Sequence, residues 1–562
     1  MTRLCLKRFT FLIAWAFLAG ASFARVQSSE APASETIRGT VLNSVTREPI
    51  GRALVSSSDN RFATLTDNEG HFEFTVPSSG CGNGGASNCV NSLNAKKPGF
   101  VDNPARMWTS VQPGKDITLL LTPEALIIGH VTLPSTEAPD RIQVSLYRRQ
   151  VREGRAHWEP VSMASTRSNG EFRFSELAAG SYKLLTHELL DRDFGIVNPQ
   201  SQLYGYPPVY FPNAPDFEAA QVIELVPGKI VQAEMSIAKH PYYSVRIPVV
   251  NAQRGIGMGV NVAVQGHRGP GFSLGYNVAE QVVEGLLPNG TYTVEVTNHG
   301  QSAASGSVTI TINGGAVVGP RLALAQSVSI PVSVREEFTS PENASSGGLF
   351  VYNGSPKRAR GPLRYLNVFL ESADDFSGGR GGFLQVPTGG PDDSLVIENV
   401  RPGRYWLRVN SSRGFAASVT SGGIDLLHQP LVVAPGGSTA PIEITMRDDW
   451  AEVECTIEGA GGTDGSSQQN PQSTESSTHI YLIPQADSPG EFRDLWIPPG
   501  GELASTQVPP GLYRVLTLDG PQPDLEYYDA DAMRSYEQKM QTVRLVGGQK
   551  EHLRVQVSSR GE

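Results

Sequence analysis

At 562 residues the chain is too long for one hydrophobic core and long enough for four or five domains of ordinary size. Apolar residues make up 39% and charged residues 18%, as in folded proteins, and a formal net charge of −10 argues against a nucleic-acid partner, which would need basic patches. Gly (59) and Pro (40) are at the level of turn-rich β domains and below that of low-complexity sequence.

Residues 1–24 read as a secretory signal peptide. Arg3, Lys7 and Arg8 form a positive start, FLIAWAFLAG a short apolar core, and Ser22, Phe23 and Ala24 a small-x-small cleavage site. The other reading is an uncleaved anchor, for which the apolar run is short. Cys5 precedes the apolar core, so no cysteine is placed to become a lipidated N-terminus. No second apolar run of spanning length follows, so no transmembrane segment is expected after cleavage. Removal of the segment takes the net charge to −13, and the densest basic stretch, KRARG at 357–361, reads as a solvated loop. The expected destination is the periplasm, the cell surface or the medium.

After a linker at 25–34, residues 35–123 open with a strand and a D-x-x-G-x-F-x-F hairpin at 67–74; SNGEFRF at 168–174 echoes it. Cys81 and Cys89 bracket GNGGASN, and in an oxidising compartment they are expected to form a disulfide worth about 2–3 kcal/mol on the chain-entropy model. The alternative is two free thiols.

Further on, one unit recurs as LAAGSYKLL, LLPNGTYTVEV, VRPGRYWLRV and VPPGLYRVLT. Its tyrosines, Tyr182, Tyr292, Tyr405 and Tyr513, are spaced by 110, 113 and 108 residues, which marks repeated domains rather than a solenoid. A glycine turn followed by alternating residues puts Tyr405, Leu407 and Val409 on one face and Trp406 and Arg408 on the other. A tyrosine there can bury its ring and return its hydroxyl to the backbone, as at the tyrosine corner of immunoglobulin-like sandwiches. Alternating strands at 308–312, 442–446 and 553–557 agree. V-x-I-P-V occurs at 245–249 and 328–332, and proline there implies an edge strand or the first residues of a strand. Only DADAMRSYEQKMQ from Asp529 has helical character. Alternation in AEVECTIE places Cys455 on a buried strand face as a small core residue.

Gly39, Pro49, Ala53, Val55, Thr66, Gly70, Phe72 and Phe74, with KKPGF from Lys96, resemble the carboxypeptidase regulatory-like domain family. That family has a transthyretin-like β-sandwich related to carbohydrate-binding-like and Cna-B folds. The resemblance is most specific over 35–123 and fair over 124–238, and the CGNGGASNC insertion departs from it. The whole layout resembles exported multi-domain proteins of acidobacterial type. The implied fold class is all-β: tandem immunoglobulin-like or transthyretin-like sandwiches at 35–123, 124–238, 239–325, 326–447 and 448–562.

Chemistry is sparse. In zinc carboxypeptidases the family's domain accompanies His-x-x-Glu, which none of the ten histidines begins, nor does any begin His-Glu-x-x-His. GFSLG at 271–275 fits the nucleophile-elbow expression but sits in a glycine-rich stretch between strands, where a turn is expected. Cna-B relatives carry lysine–asparagine cross-links; between His240 and Asp448 the sole lysine is Lys357, so none is expected there. TDNEG and YYDADA offer oxygen ligands without matching a calcium loop, and read as turns. No catalytic residue, metal or cofactor is expected. Tyr204, Tyr206, Tyr210 and Phe211, interleaved with prolines, form an aromatic loop that either stacks on sugars or covers a sandwich edge or the next domain. The leading expectation is a non-catalytic, exported scaffold, adhesive or interaction protein whose linked modules extend a surface. Polysaccharide binding through the aromatic loop and service as an accessory to an envelope transport system stand as alternatives. The corresponding partners are polysaccharide or envelope proteins.

Overall fold

A computed structural model describes residues 34–77, 92–101, 109–111, 116–133, 141–190, 202–265, 269–298, 303–339, 349–352, 355–358, 366–373, 380–384, 395–437, 439–458, 477–485, 488–498, 501 and 503–558. The expected leader at 1–24 and the expected Cys81–Cys89 disulfide lie outside these residues. The chain divides into two compact units, Met1–Thr122 and Pro123–Glu562.

The first unit is a two-sheet sandwich. Ser34–Asn43 lies between His71–Pro77 and Ile117–Pro123 in one sheet, and Leu54–Ser57 between Ala63–Leu65 and Ser92–Lys96 in the other. Alternation sends Val41, Val55, Phe72, Leu93 and Leu119 into a shared core. In the hairpin at 67–74 the Asp67 carboxylate accepts from the His71 N–H at 2.7 Å, and Gly70 takes a φ of +78°. Phe72 lands opposite Gly39, and a Cβ on Gly39 would stand 2.8 Å from its ring.

The second unit repeats the layout four times, and the fold is all-β. Ala125–Thr132, Glu171–Leu177 and Ile230–Ser236 face Gln143–Arg152, Arg155–Ser165, Gly180–Thr186 and Ile223–Leu225 over Ile127, Leu146, Phe172 and Leu184. His240–Val250, Gly275–Asn277 and Val282–Pro288 face Gly259–Val264, Gly290–Asn298 and Ala304–Ile312 over Val245, Ile247, Val294 and Ile310. Val328–Glu337, Val396–Val400, Phe415–Ser421 and Ile442–Arg447 face Leu366–Ser372, Arg380–Phe383, Gly403–Ser411 and Leu431–Val433 over Ile330, Val368 and Ile444. Ala451–Ile457, Leu503–Val508 and Lys550–Val555 face Thr478–Pro484, Arg493–Ile497, Gly511–Asp519 and Met540–Leu545 over Val453, Ile480 and Val515. These are called the second to fifth sandwiches below.

One corner is built identically in all four. The rings of Tyr182, Tyr292, Tyr405 and Tyr513 are buried. Each hydroxyl donates to the carbonyl four residues upstream: Ala178 at 2.8 Å, Pro288 at 3.1 Å, Arg401 at 2.9 Å and Pro509 at 2.8 Å. The bond satisfies both the buried hydroxyl and a carbonyl of the turn.

Of the prolines of V-x-I-P-V, Pro331 stands among the first residues of its strand, one of the two expected places, but Pro248 lies near the end of an inner strand. Both are tolerated there. The reason is local: Val328–Glu337 pairs in parallel with Ile442–Arg447 only from Val332 onward. Likewise His240–Val250 pairs with Val317–Val318 at Val245 and Arg246, then with Leu322–Ala323 at Val249 and Val250. Both prolines therefore fall where a parallel partner is interrupted or has not begun, so the missing N–H costs no bond of that ladder. Cys455 is fully buried in the core of the fifth sandwich, and burial pushes its thiol up to about 11. Asp529 caps a four-residue helix, Ala530–Met533, which runs into a 3₁₀ stretch, Arg534–Lys539.

Candidate functional site

In the second unit a gathering of charged and aromatic groups forms a junction between sandwiches. Gln143–Arg152 and Arg155–Ser165 form a hairpin closed by Glu153 and Gly154, both at positive φ (46° and 70°), as a two-residue turn requires. The hairpin reaches past its own sandwich. Arg149 Nη2 donates to Glu526 Oε2 at 2.7 Å and Nη1 donates to Oε1, a two-pronged pair in which the Glu526 side chain is only 10% exposed. The Arg155 guanidinium lies 3.7 Å from the ring centre of Trp406 and 3.8 Å from that of Tyr528. Burial lowers the pKa of Arg155, and the two ring faces offset part of the lost hydration. Gly154 permits the approach, since a Cβ there would stand 2.7 Å from the Tyr527 ring, and its carbonyl accepts from the Tyr528 N–H at 3.4 Å. The second, fourth and fifth sandwiches therefore meet at one place. In VRPGRYWLRV the inward face supplies the corner, Tyr405, and the outward face supplies a docking ring, Trp406.

A second junction joins the second and third sandwiches. Leu189–Leu190 pairs with Leu203–Tyr206, which pairs with His240–Val250, so one sheet runs across the joint. The aromatic loop lies here. Tyr206 and Phe211 are buried in the core of the second sandwich. Tyr210 is buried, donates to the Pro270 carbonyl at 2.7 Å and meets Phe217 edge-on. Phe217 in turn packs on Tyr147 and Trp158. Tyr204 is 44% exposed. Stacking on a sugar needs an open ring face, and of the four residues only Tyr204 is exposed. The other three cover the outer sheet of their sandwich or enter its core, because Tyr147, Trp158 and Phe217 need apolar cover there.

Ser273, the serine of GFSLG, donates to Glu188 Oε2 at 3.2 Å. Glu188 also faces Tyr242, and burial pushes its carboxyl up to about 7. Ser273 thus faces an acid across the joint, where a nucleophile elbow would place a histidine. A third contact ties the fourth sandwich to the fifth: His428 Nδ1 lies 2.6 Å from Asp425 Oδ2, and Nε2 lies 3.2 Å from the Ser488 carbonyl.

The remaining candidates are local. Asp67 closes its hairpin and Asp529 caps its helix. Among the described residues no three His, Cys, Asp or Glu side chains gather as a metal site. One arrangement escaped the sequence: His479 Nδ1 is 2.9 Å from Asp494 Oδ1, and Nε2 is 3.3 Å from Ser477 Oγ. Its order is that of a nucleophile, base and carboxylate. The serine and histidine stand two apart on one face of a strand start, a spacing that alternation alone produces. The Arg149–Glu526 pair also escaped, because 377 residues separate its partners; the nearest signal was the Glu-Gly turn between strands with outward arginines.

No family model matches the chain, and no curated protein matches it. Similar solved structures include a streptococcal ancillary pilin (12% identity, 52% of this chain and 99% of that one, TM-score 0.18). Others are GBS52, the minor pilin of Streptococcus agalactiae (15%, 37% and 97%, TM-score 0.18), and the RrgB pilus protein of Streptococcus pneumoniae (8%, 78% and 99%, TM-score 0.13). At these TM-scores the likeness bears no weight below; the sandwich assignment rests on strand pairing and shared cores. Among the described residues no helix is long and apolar enough to cross a membrane.

Proposed function

We propose that the chain is an exported, non-catalytic scaffold or adhesion module of the cell envelope, built on carboxypeptidase regulatory-like sandwiches. The observation that carries this reading is the junction of the second, fourth and fifth sandwiches. There the charged and aromatic groups of Arg149, Arg155, Trp406, Glu526 and Tyr528 are engaged in holding modules together. Side chains so engaged fix the relative placement of modules and thereby the surface presented to an envelope partner.

The test is fractionation of the native host with determination of the mature N-terminus. The reading expects the protein in the envelope or the medium, starting at or near Arg25, and recovered with envelope proteins after cross-linking. An intact leader on a cytoplasmic protein would overturn it.

A further inference from the structure

In four sandwiches the first and last strands are parallel neighbours, and in the third the first strand pairs in parallel with two short late strands. The ladders hold five pairs in the first sandwich (39–43 with 117–121) and seven in the second (126–132 with 230–236). The fourth and fifth hold six each (332–337 with 442–447, and 452–457 with 550–555). Parallel neighbours lead the chain in and out at opposite ends of a sandwich. Tension between those ends slides one strand along the other and strains all the ladder bonds together. An antiparallel pair pulled from adjacent ends opens one bond at a time. The ladders are also dry on their inner face: Ile127, Val131, Ala233 and Met235 are buried in the second sandwich, and Val453, Cys455, Leu553 and Val555 in the fifth. Water is thereby kept from replacing a stretched bond. Only residues 237–239 separate Ile230–Ser236 from His240–Val250, and 448–450 separate Ile442–Arg447 from Ala451–Ile457, so a pull passes between sandwiches with little slack.

Resting on the scaffold reading, we propose that the chain is a tension-bearing element with a built-in weak link, the third sandwich. Its ladder is broken into two patches of two pairs, Val245 and Arg246 with Val317 and Val318, then Val249 and Val250 with Leu322 and Ala323. Pro248, in the break, has no N–H to add. Four pairs in two patches resist sliding less than the five to seven pairs that each other sandwich holds in one run. The contacts of Arg149 and Arg155 join the second sandwich to the fifth, so they take the pull first and shelter the third and fourth until they part.

The experiment is single-molecule pulling on the full chain from its two termini. The expected record starts with a short extension that releases no sandwich, and this step is missing in the Arg149→Ala, Arg155→Ala double variant. The lowest-force unfolding event then releases the chain held between Val245 and Ala323, measured at about 3.3–3.6 Å per residue. A Val245→Cys, Val317→Cys pair replaces register partners and spans the ladder. Oxidised, it should remove that event; reduced, it should restore it. Should the cysteine variant not fold, the length released by the wild-type chain decides. A lowest-force event with the length of any other sandwich overturns the proposal, as does one that oxidation leaves unchanged. Mislocalisation in the host would defeat the scaffold reading while leaving these mechanics intact, so the two fail separately.

Discussion

Gly129 stands directly opposite Phe172 in the second sandwich, and the phenyl ring fills the space a Cβ on Gly129 would need. In the first sandwich Gly39 likewise stands opposite Phe72, where a Cβ would meet the Ile117 carbonyl oxygen at 2.0 Å as well as the ring at 2.8 Å. The glycine of the opening strand and the first phenylalanine of the hairpin are thus one packing device. Gly129→Ala is expected to cost about 1–3 kcal/mol through overpacking. Hydrogen exchange of the second sandwich would measure it, and protection unchanged from the wild type would contradict it.

The corner tyrosines should differ in a graded way. Tyr182 donates to Ala178, whereas Tyr513 donates to Pro509 and also accepts from the Glu491 N–H at 3.2 Å. Tyr182→Phe is expected to destabilise its sandwich by about 1 kcal/mol, and Tyr513→Phe by about 1–3 kcal/mol, because two backbone groups, one of them buried, lose a partner. Exchange protection resolved by sandwich would show the order, and equal losses would count against the second bond.

These features show what the sequence makes legible. The Gly-x-Tyr unit and the D-x-x-G-x-F-x-F hairpin are local: a turn demands glycine, and the next inward ring marks the core. The all-β class and the buried place of Cys455 follow from the same alternation. What stays hidden depends on distant segments. The burial of Tyr210 is set by Pro270 and Phe217, and the tolerance of Pro248 by a break between two short strands. Nothing near Arg149 in sequence announces Glu526.

Glu188 makes the joint between the second and third sandwiches sensitive to pH. Burial raises its carboxyl from 4.5 to about 7. Between those values the folded chain holds a proton that the unfolded chain has released. Stability therefore falls as pH rises from about 4.5 to about 7 and then levels, a loss on the order of 3 kcal/mol. Tyr242, Tyr292 and Ser273 face the group from the third sandwich. His187 on its own segment is lowered by burial and acts in the opposite sense, losing stability below about pH 6.5. Glu188→Gln isolates the carboxyl: it should equal the wild type near pH 4 and exceed it at pH 8 in thermal unfolding. The same pH dependence in both proteins would refute the assignment.

Ser477, His479 and Asp494 offer the sharpest challenge to a non-catalytic reading. The His479 side chain is 12% exposed and its ring stacks on Tyr481, an arrangement that holds the imidazole as part of the sheet face. A fluorophosphonate probe is expected to leave Ser477 unlabelled. Labelling that Ser477→Ala and His479→Ala both abolish would require an enzymatic reading instead.

The central claim is that sandwiches far apart in sequence are held together by the hairpin of the second. The direct measurement is the distance between probes at Ser162 and Glu537 in the full chain, both exposed sites on the two sides of the junction. One narrow distance distribution is expected in the wild type, and a longer, broader one after Arg149→Ala with Arg155→Ala. A wild-type distribution already as broad as that of the variant would contradict it.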